Sequence, residues 1–501
     1  MNIQQPIDMS LLKWLWLNVK NKWSSNWRQF YLPYLLLISV ITIYHLLLSP
    51  ELFSDDIFFS SALEKAGLLE FLNERYNGWS SRLFIEAVLV IISQHMWLWV
   101  VLDILVYGIS AITLAYLTNN LRNGNYFVVV MALTYPFMHM WSAGWMTTTL
   151  NYLWPITALL IAFIPVKRYI DGHSLKWFDY LLFFVPLLFA ISLEQGAGVA
   201  GILLVLSMGY LFINKKKIPI FLPIGLALNI IQVIAILASP GNAYRLSIIG
   251  ERVPILADFT LFDKFATFLR MIEQEFFAAT TNLTYISFCV VLFVVMMICC
   301  KGNLFAKIAA FIPCIIWAFY KLPVISSILN SEKLLTIVST VPIIPAELSE
   351  SLLSGLGSVL SSVTSFTSKI FVVYSSHTTI ADSVFIVGLQ IAILIVTVSC
   401  NVYSLYVLCK GMNFKFLFCS GIFATGMISY LPLCTSYWFS INYRTSIYLC
   451  FALIFIACYI YALNREKIHK SIKSLVVLWL PVTVICLVNI AYTLYKLVSL
   501  L

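Results

Sequence analysis

The sequence predicts an all-α, polytopic integral membrane protein with about 13 transmembrane helices. Of its 501 residues, 61% are hydrophobic and only 11% are charged. In a soluble chain of this length about a quarter of the residues are charged, because they cover the surfaces of its domains. The apolar residues also fall in runs of about 20, which is the length that crosses a bilayer as a helix. The first of these runs opens a single transmembrane domain over residues 30–501.

Residues 1–29 are predicted to form a cytoplasmic amphipathic segment that lies on the membrane surface. Leucines and tryptophans there alternate with Lys13, Lys20 and Lys22, which is typical of an interfacial helix. No small-residue cleavage site follows, so we do not expect a signal peptide. The spans are predicted near 30–50, 97–118, 127–140, 148–165, 178–192, 196–213, 218–238, 283–300, 305–322, 383–409, 416–434, 445–463 and 474–499.

The basic residues predict which ends of these spans are cytoplasmic. With the N-terminus inside, the inner segments comprise 76 positions and contain 19 of the 31 basic residues. This bias agrees with the positive-inside rule for a plasma-membrane protein. Two long loops, near 51–96 and 323–382, then lie outside, and we expect interfacial helices in both, the first of them over 83–93.

Several function classes are excluded by what the sequence lacks. It contains no HExxH, GxxxxGK[ST] or GxGxxG pattern, which argues against zinc proteases, P-loop enzymes and dinucleotide binding. The positive charge lies in short clusters between apolar runs, without a basic stripe, so no nucleic-acid partner is expected. The 11 cysteines lie mostly inside apolar runs and form no CxxC pair, which indicates buried thiols.

Six polar clusters share the predicted outer side of the membrane, and they suggest one outward-facing site. They contain the acidic pair Asp55–Asp56 and five further groups. The candidate substrate-binding residues in those groups are Arg82, Asn151, Tyr152, Glu194, Asn242, Arg245, Asn442 and Arg444.

The acidic pair follows the first span directly and is flanked by Phe53, Ile57 and Phe58. Adjacent carboxylates near apolar walls repel each other, which raises the pKa of one and suits a general base or a divalent cation such as Mg²⁺ or Mn²⁺. The alternative is that the pair caps a helix or opens a solvated loop. If a metal is present, Asp56 is its predicted ligand.

The other charged residues also have structural alternatives. Glu194 is costly near a span unless it pairs with an outer arginine or takes part in function. Arg245 and Arg444 are either snorkelling anchors or, because each follows an asparagine, ligands of an anion or a sugar. Asp103, inside a span, is expected to pack against a polar partner.

These features resemble the GT-C superfamily of membrane glycosyltransferases, which carry an acidic pair in the first outer loop and use polyprenyl-phosphate sugars as donors. The segments SDD, NGWSSR, NYLWP, EQG and PGNAYR are also similar to a group of bacterial multi-pass proteins of uncharacterised function, over roughly the first 250 residues. The resemblance implies a GT-C-like fold and transfer of a sugar to a cell-surface glycan or lipid-linked acceptor.

With that chemistry, Asp55 or Asp56 would take the proton of the acceptor hydroxyl, and Arg82, Arg245 or Arg444 would bind the donor phosphate. Trp79, Trp141, Trp145 and Trp154 would stack on sugars or anchor the protein at the interface. Two alternatives remain open: a polysaccharide polymerase or ligase, and a transporter or flippase of lipid-linked sugars.

Overall fold

Helices make up the secondary structure of the chain in the computed structural model, which describes residues 27–48, 52–252, 260–278, 283–322, 380–435 and 443–500. In chain order the α-helices are α1 (Trp27–Leu46), α2 (Asp55–Lys65), α3 (Leu68–Gly78), α4 (Leu83–Ile92), α5 (Met96–Leu117), α6 (Asn125–Ala132), α7 (Trp145–Thr148), α8 (Trp154–Ile170), α9 (Trp177–Ile191), α10 (Glu194–Ile213), α11 (Phe221–Ala238), α12 (Pro240–Arg252), α13 (Leu261–Glu273), α14 (Thr284–Cys299), α15 (Leu304–Lys321), α16 (Ile380–Leu408), α17 (Phe414–Ile428), α18 (Ile447–Ile468) and α19 (Ile472–Leu500).

Ten helices of the described residues are long and apolar enough to cross a membrane. They include a continuous helix over Trp145–Ile170, in which α7 and α8 are joined by the π-turn Thr149–Leu153. The apolar helices α9 and α14 match two further predicted spans, but they have only 15 and 16 residues. The protein is therefore a polytopic helical membrane protein, as the composition predicts.

The span predicted over 127–140 is not a continuous helix. Helix α6 has eight residues and ends at Ala132, and a 3₁₀ turn follows at Phe137–Trp141. Pro136 disfavours helical geometry at the residue before it and has no N–H to donate. Side chains from distant helices bind the carbonyls at the break. Asn489 Nδ2 donates to the oxygens of Leu133 (2.8 Å) and Tyr135 (3.0 Å), and Thr284 Oγ1 donates to that of Thr134 (3.0 Å).

The basic connections gather at one end of the bundle. Lys216 Nζ donates to the carbonyl oxygen of Ile170 at 2.7 Å, and the Tyr169 hydroxyl donates to that of Lys217 at 2.7 Å. Arg465, at the end of α18, reaches the carbonyl oxygen of Asn119 at 3.5 Å. These contacts join the ends of α5, α8, α10 and α18 that the sequence predicts to be cytoplasmic.

A buried polar contact joins α1, α5 and α8 inside the bundle. The Asp103 carboxylate is fully buried, accepts from Trp154 Nε1 at 2.7 Å and lies 3.1 Å from His45 Nε2. The other ring nitrogen of His45 lies 2.8 Å from the carbonyl oxygen of Ile41. The prediction that Asp103 packs against a polar partner is confirmed.

The segment predicted as a long outer loop, 51–96, contains three short helices, α2, α3 and α4. Arg75 on α3 donates to both carboxylate oxygens of Glu86 on α4, at 2.7 and 3.0 Å, and its guanidinium lies over the rings of Phe58 and Phe59 on α2. One arginine thus joins all three helices. The predicted N-terminal surface segment, up to residue 26, and most of the second loop, 323–379, lie outside the described residues.

Candidate functional site

The two carboxylates of the acidic pair have different surroundings. Helix α2 begins at Asp55, so the two side chains point about 100° apart around the helix. Asp55 is exposed, whereas Asp56 is only 2% exposed. Asp56 Oδ1 accepts from the N–H (2.8 Å) and the hydroxyl (2.7 Å) of Thr147, and Oδ2 accepts from the N–H of Met146 at 3.3 Å. Asp56 therefore caps the helix that begins at Trp145.

The backbone at the start of that helix is shaped to receive the Asp56 carboxylate. Gly144 has a φ of +99°, and a Cβ atom there would lie 2.4 Å from the carboxylate carbon of Asp56. Burial raises the pKa of Asp56 to about 6, although the hydrogen bonds from Thr147 and Met146 act to lower it. The structure thus favours the capping alternative for Asp56.

Asp55 is free to act at the surface of the site. Its backbone N–H donates to the carbonyl oxygen of Ala143 at 3.3 Å, which holds α2 against the loop before Trp145. Partial desolvation raises the pKa of the Asp55 carboxyl, while Arg444 and Arg75 act to lower it. Asp55 is therefore the member of the pair within electrostatic range of Arg444, another candidate site residue.

Glu194 lies between two of the predicted arginines. Its Oε2 accepts from Arg82 Nε at 2.8 Å, and its Oε1 accepts from Arg245 Nη2 at 3.2 Å. Burial acts to lower the pKa of Arg82, but Glu194 raises it above its ordinary range. Of the two alternatives for Glu194, the structure contains the pairing with arginines, and the two guanidinium groups carry one more positive charge than Glu194 neutralises.

The two arginines that contact Glu194 are each held by an asparagine. Arg82 Nη1 donates to Asn151 Oδ1 at 3.3 Å, and Arg245 Nη2 donates to Asn242 Oδ1 at 3.2 Å. Asn151 sits in the π-turn, where its amide donates to the Thr147 carbonyl oxygen at 2.8 Å. Asn242 donates to the Ser81 hydroxyl at 2.9 Å, so the loop before α4 and helix α12 are held together. π-turns are frequent at functional sites.

Arg444 adds a third guanidinium group. It donates to the Ser142 hydroxyl at 3.2 Å and lies over the Tyr152 ring, 5.8 Å from its centre. Its Nε is buried and has no hydrogen-bond partner in the described part of the chain. Asn442, predicted alongside Arg444, lies outside the described residues. The clusters around residues 55, 82, 151, 194, 245 and 444 therefore meet at the end of the bundle opposite to the basic connections.

Two of the four predicted tryptophans have structural partners. Trp145 is buried and stacks on Phe137, with ring centres 5.3 Å apart, and Trp154 donates to Asp103. Trp141 is 41% exposed and contacts Phe53, and Trp79 ends α3. Of the four, Trp141 presents the most ring surface near the site.

Sequence reasoning missed Arg75 and Tyr448. Arg75 forms the ion pair with Glu86 that joins α3 to α4. Tyr448 lies on α18 with its hydroxyl beside Gly196, and electrostatic interactions connect it with Tyr152, Arg82 and Glu194. Its one sequence signal is its position four residues after Arg444, which places both on one face of a helix.

A divalent metal does not fit Asp56. Both of its oxygens accept hydrogen bonds at the start of a helix, where the helix dipole disfavours a cation. Among the described residues, no group of three or more His, Cys, Asp or Glu side chains is placed to hold a metal ion.

Comparisons with known proteins returned no matching family model, no matching curated protein and no matching solved structure. Function is therefore argued from the site.

Proposed function

We propose that the protein is a membrane glycosyltransferase that moves a sugar from a polyprenyl-phosphate-linked donor to a glycan or lipid-linked acceptor on the extracytoplasmic side of the plasma membrane. The observation that carries this proposal is the convergence of Arg82, Arg245 and Arg444 with the exposed carboxylate of Asp55. Guanidinium groups that are held in place bind phosphate oxygens as fixed donors.

In the proposed reaction Asp55 is the general base. The acceptor hydroxyl oxygen attacks the anomeric carbon of the donor sugar and gives its proton to Asp55. The bond between that carbon and the phosphate oxygen breaks, and its electron pair leaves with the phosphate. Arg444, within electrostatic range of Asp55, stabilises the charge that develops on the leaving group.

The charge of the site supports an anionic ligand. Arg82 and Arg245 share the single carboxylate of Glu194. This group of three side chains is therefore positive by one charge. A phosphodiester carries one negative charge, so a polyprenyl-phosphate sugar would balance it.

The test of this proposal is the Asp55→Asn substitution, assayed with membranes, a polyprenyl-phosphate sugar and the native acceptor glycan. Loss of a general base costs about a hundred- to ten-thousand-fold in rate, so we expect no detectable transfer by a variant that still inserts and folds. Glu64→Gln, an exposed acid on the same helix, is the matched control and should keep the wild-type rate. Transfer by Asp55→Asn at the wild-type rate would contradict the base assignment.

A second experiment tests the activity class in the host. Deletion of the protein should remove one side-chain sugar from the surface glycan, as detected by mass spectrometry. Shortened chains would instead indicate a polymerase, and unchanged glycans would contradict all of the glycan-assembly functions.

A transporter or flippase of lipid-linked sugars is the second candidate. The break after α6 and the buried His45–Asp103 contact favour it, since broken helices and buried ionisable groups are typical of transport pathways. Movement of a fluorescent polyprenyl-phosphate sugar across proteoliposomes, with no acceptor present, would support transport over transfer.

A further inference from the structure

Behind the arginines, the site contains a buried hydroxyl group that the proposed function has not used. Tyr448 is 2% exposed, and among the described residues its hydroxyl has no hydrogen-bond partner. A buried phenol without a partner costs about 1–3 kcal/mol compared with one that is bonded. Such a group is tolerated where a ligand supplies the missing contact.

The surroundings of this hydroxyl place it at the start of α10, beside the arginine cluster. The residue against it is Gly196, where a Cβ atom would lie 2.8 Å from the hydroxyl oxygen and closer still to the carbonyl oxygen of Ala190. The glycine therefore allows α10 and Tyr448 to approach closely. Arg82, Glu194 and Tyr152 all lie within electrostatic range of Tyr448, so the hydroxyl belongs to the arginine cluster and not to the apolar interior.

A second unpartnered donor lies one helical turn away. Arg444 lies in the 3₁₀ turn Tyr443–Ser446 that leads into α18, four residues before Tyr448. The Nε of Arg444 is buried and has no partner in the described ranges. Arg444 donates to the Ser142 hydroxyl through Nη1, whereas Arg82 and Arg245 donate to Glu194 and to asparagines.

We propose that Arg444 and Tyr448 form the phosphate-binding subsite, with Arg444 Nε and the Tyr448 hydroxyl both donating to oxygens of one phosphate ester. Two unpartnered donors in a positive cluster suit a ligand group that only accepts hydrogen bonds, as phosphate oxygens do. Arg82, Glu194 and Arg245 then position the site without being the main phosphate contacts. This inference rests on the proposed function, because it assigns the phosphate of the proposed donor.

The test is Tyr448→Phe, which removes only the hydroxyl. The probe is undecaprenyl phosphate in detergent, with inorganic phosphate as a second probe to separate a lipid-linked from a free phosphate. A hydrogen bond to a charged group is worth about 1.5–3 kcal/mol, so affinity for undecaprenyl phosphate should fall about 10- to 100-fold. The thermal midpoint of Tyr448→Phe without ligand should equal or exceed that of the wild type, because the substitution removes a buried hydroxyl group that has no partner in the described residues.

Tyr107→Phe is the matched control. Tyr107 is also buried with a hydroxyl that lacks a partner in the described residues, but it lines a separate cavity with Leu37, Tyr44 and Phe137. Its phenylalanine variant should bind undecaprenyl phosphate as the wild type does. Equal loss of affinity in both variants would overturn the assignment.

The outcomes separate this inference from the function on which it rests. If Tyr448→Phe binds as tightly as wild type while Arg444→Lys binds weakly, the phosphate does not reach Tyr448 and the inference fails, although the transferase proposal stands. If wild type binds the lipid through Tyr448 but transfers no sugar, the subsite holds and the proposed reaction fails. Absence of lipid binding by the wild type would overturn the subsite outright, and equal binding of inorganic phosphate would overturn its assignment to the lipid.

Discussion

Gly144 and Asp56 show how strongly single residues are constrained at the start of the Trp145 helix. A left-handed backbone conformation costs an alanine about 1–2 kcal/mol. We expect Gly144→Ala to lower the stability of the protein by more than this, because the new methyl group would also overlap the Asp56 carboxylate. The measurement is the thermal midpoint in detergent. Gly172→Ala is the matched control, since Gly172 has a φ of +86° but nothing within 4 Å of its Cβ position. Equal losses in the two variants would show that the carboxylate moves aside freely.

The burial of Asp56 also predicts a pH dependence of stability. Its pKa is raised from 3.8 to about 6, so between these values the folded protein keeps a proton that the unfolded chain has released. This contribution to stability is complete below pH about 4 and is lost as the pH rises through 6. Asp56→Asn should therefore flatten the fall in thermal midpoint between about pH 4 and 6. Glu64→Gln should leave that slope as in wild type, and an unchanged slope in Asp56→Asn would contradict the prediction.

The sequence predicted which residues belong to the site better than it predicted what each of them contacts. The sequence places Glu194 among outer arginines, and the expected pairing is what the structure contains. The sequence does not show which of the two adjacent carboxylates, Asp55 or Asp56, is buried. That depends on the helix that begins at Trp145, about 90 residues later, because its N–H groups donate hydrogen bonds to Asp56. The one sequence signal of Tyr448 is its position four residues after Arg444, and only packing brings it to Gly196.

At the scale of elements, the break after α6 is stabilised by a side chain of α19, so a substitution on α19 should lower the stability of the protein. Asn489→Ala removes the side-chain donor to the carbonyl oxygens of Leu133 and Tyr135. An unsatisfied buried acceptor costs about 1–3 kcal/mol, so the thermal midpoint should fall by several degrees. Asn464→Ala is the matched control, because the buried Asn464 amide donates to Ile460 on its own helix, and the loss there should be smaller. A larger loss in Asn464→Ala would contradict the role given to Asn489.

The same break explains where hydropathy reasoning failed. Residues 127–140 are apolar enough to count as a span, and counting apolar residues does not register which backbone groups find partners. Pro136 was a local signal for an end of the helix. Thr284 and Asn489 donate hydrogen bonds to the carbonyl oxygens at this end of the helix, and they lie on α14 and α19. No local sequence pattern connects them with residue 134.

At the scale of the whole molecule, the distribution of charge predicts the topology. Single cysteines introduced at Ala243, Gly172 and Lys216, in a background without the 11 native cysteines, can be labelled with a membrane-impermeant maleimide. Position 243 should react in intact cells, whereas positions 172 and 216 should react only after permeabilisation. Reaction at position 243 only after permeabilisation would move the whole arginine cluster to the cytoplasmic side and contradict the proposed extracytoplasmic reaction.

Composition and spacing were sufficient for the general architecture because a bilayer imposes few solutions. Apolar runs of about 20 residues must be helices, and their alternation places every second connection at the same end. The placement of residues 55, 82, 194, 245 and 444 at one end of the bundle is what that alternation predicts. The choice among the arginines does not, because it depends on side-chain contacts such as those that occupy Arg82 and leave Arg444 Nε without a partner in the described residues.

The dependence of residues 133–135 on Asn489 has a consequence for biosynthesis. Leu133 and Asn489 are 356 positions apart, and at about 5–20 residues per second a ribosome needs roughly 20 to 70 s to translate that distance. Throughout this interval the backbone after α6 must find temporary hydrogen-bond donors in water, the translocon or other parts of the nascent chain. A growing polypeptide with this exposed gap is open to the proteases and chaperones that survey unfinished membrane proteins. Stalled synthesis before α19 should therefore yield products that are degraded rather than accumulated as a stable half-bundle.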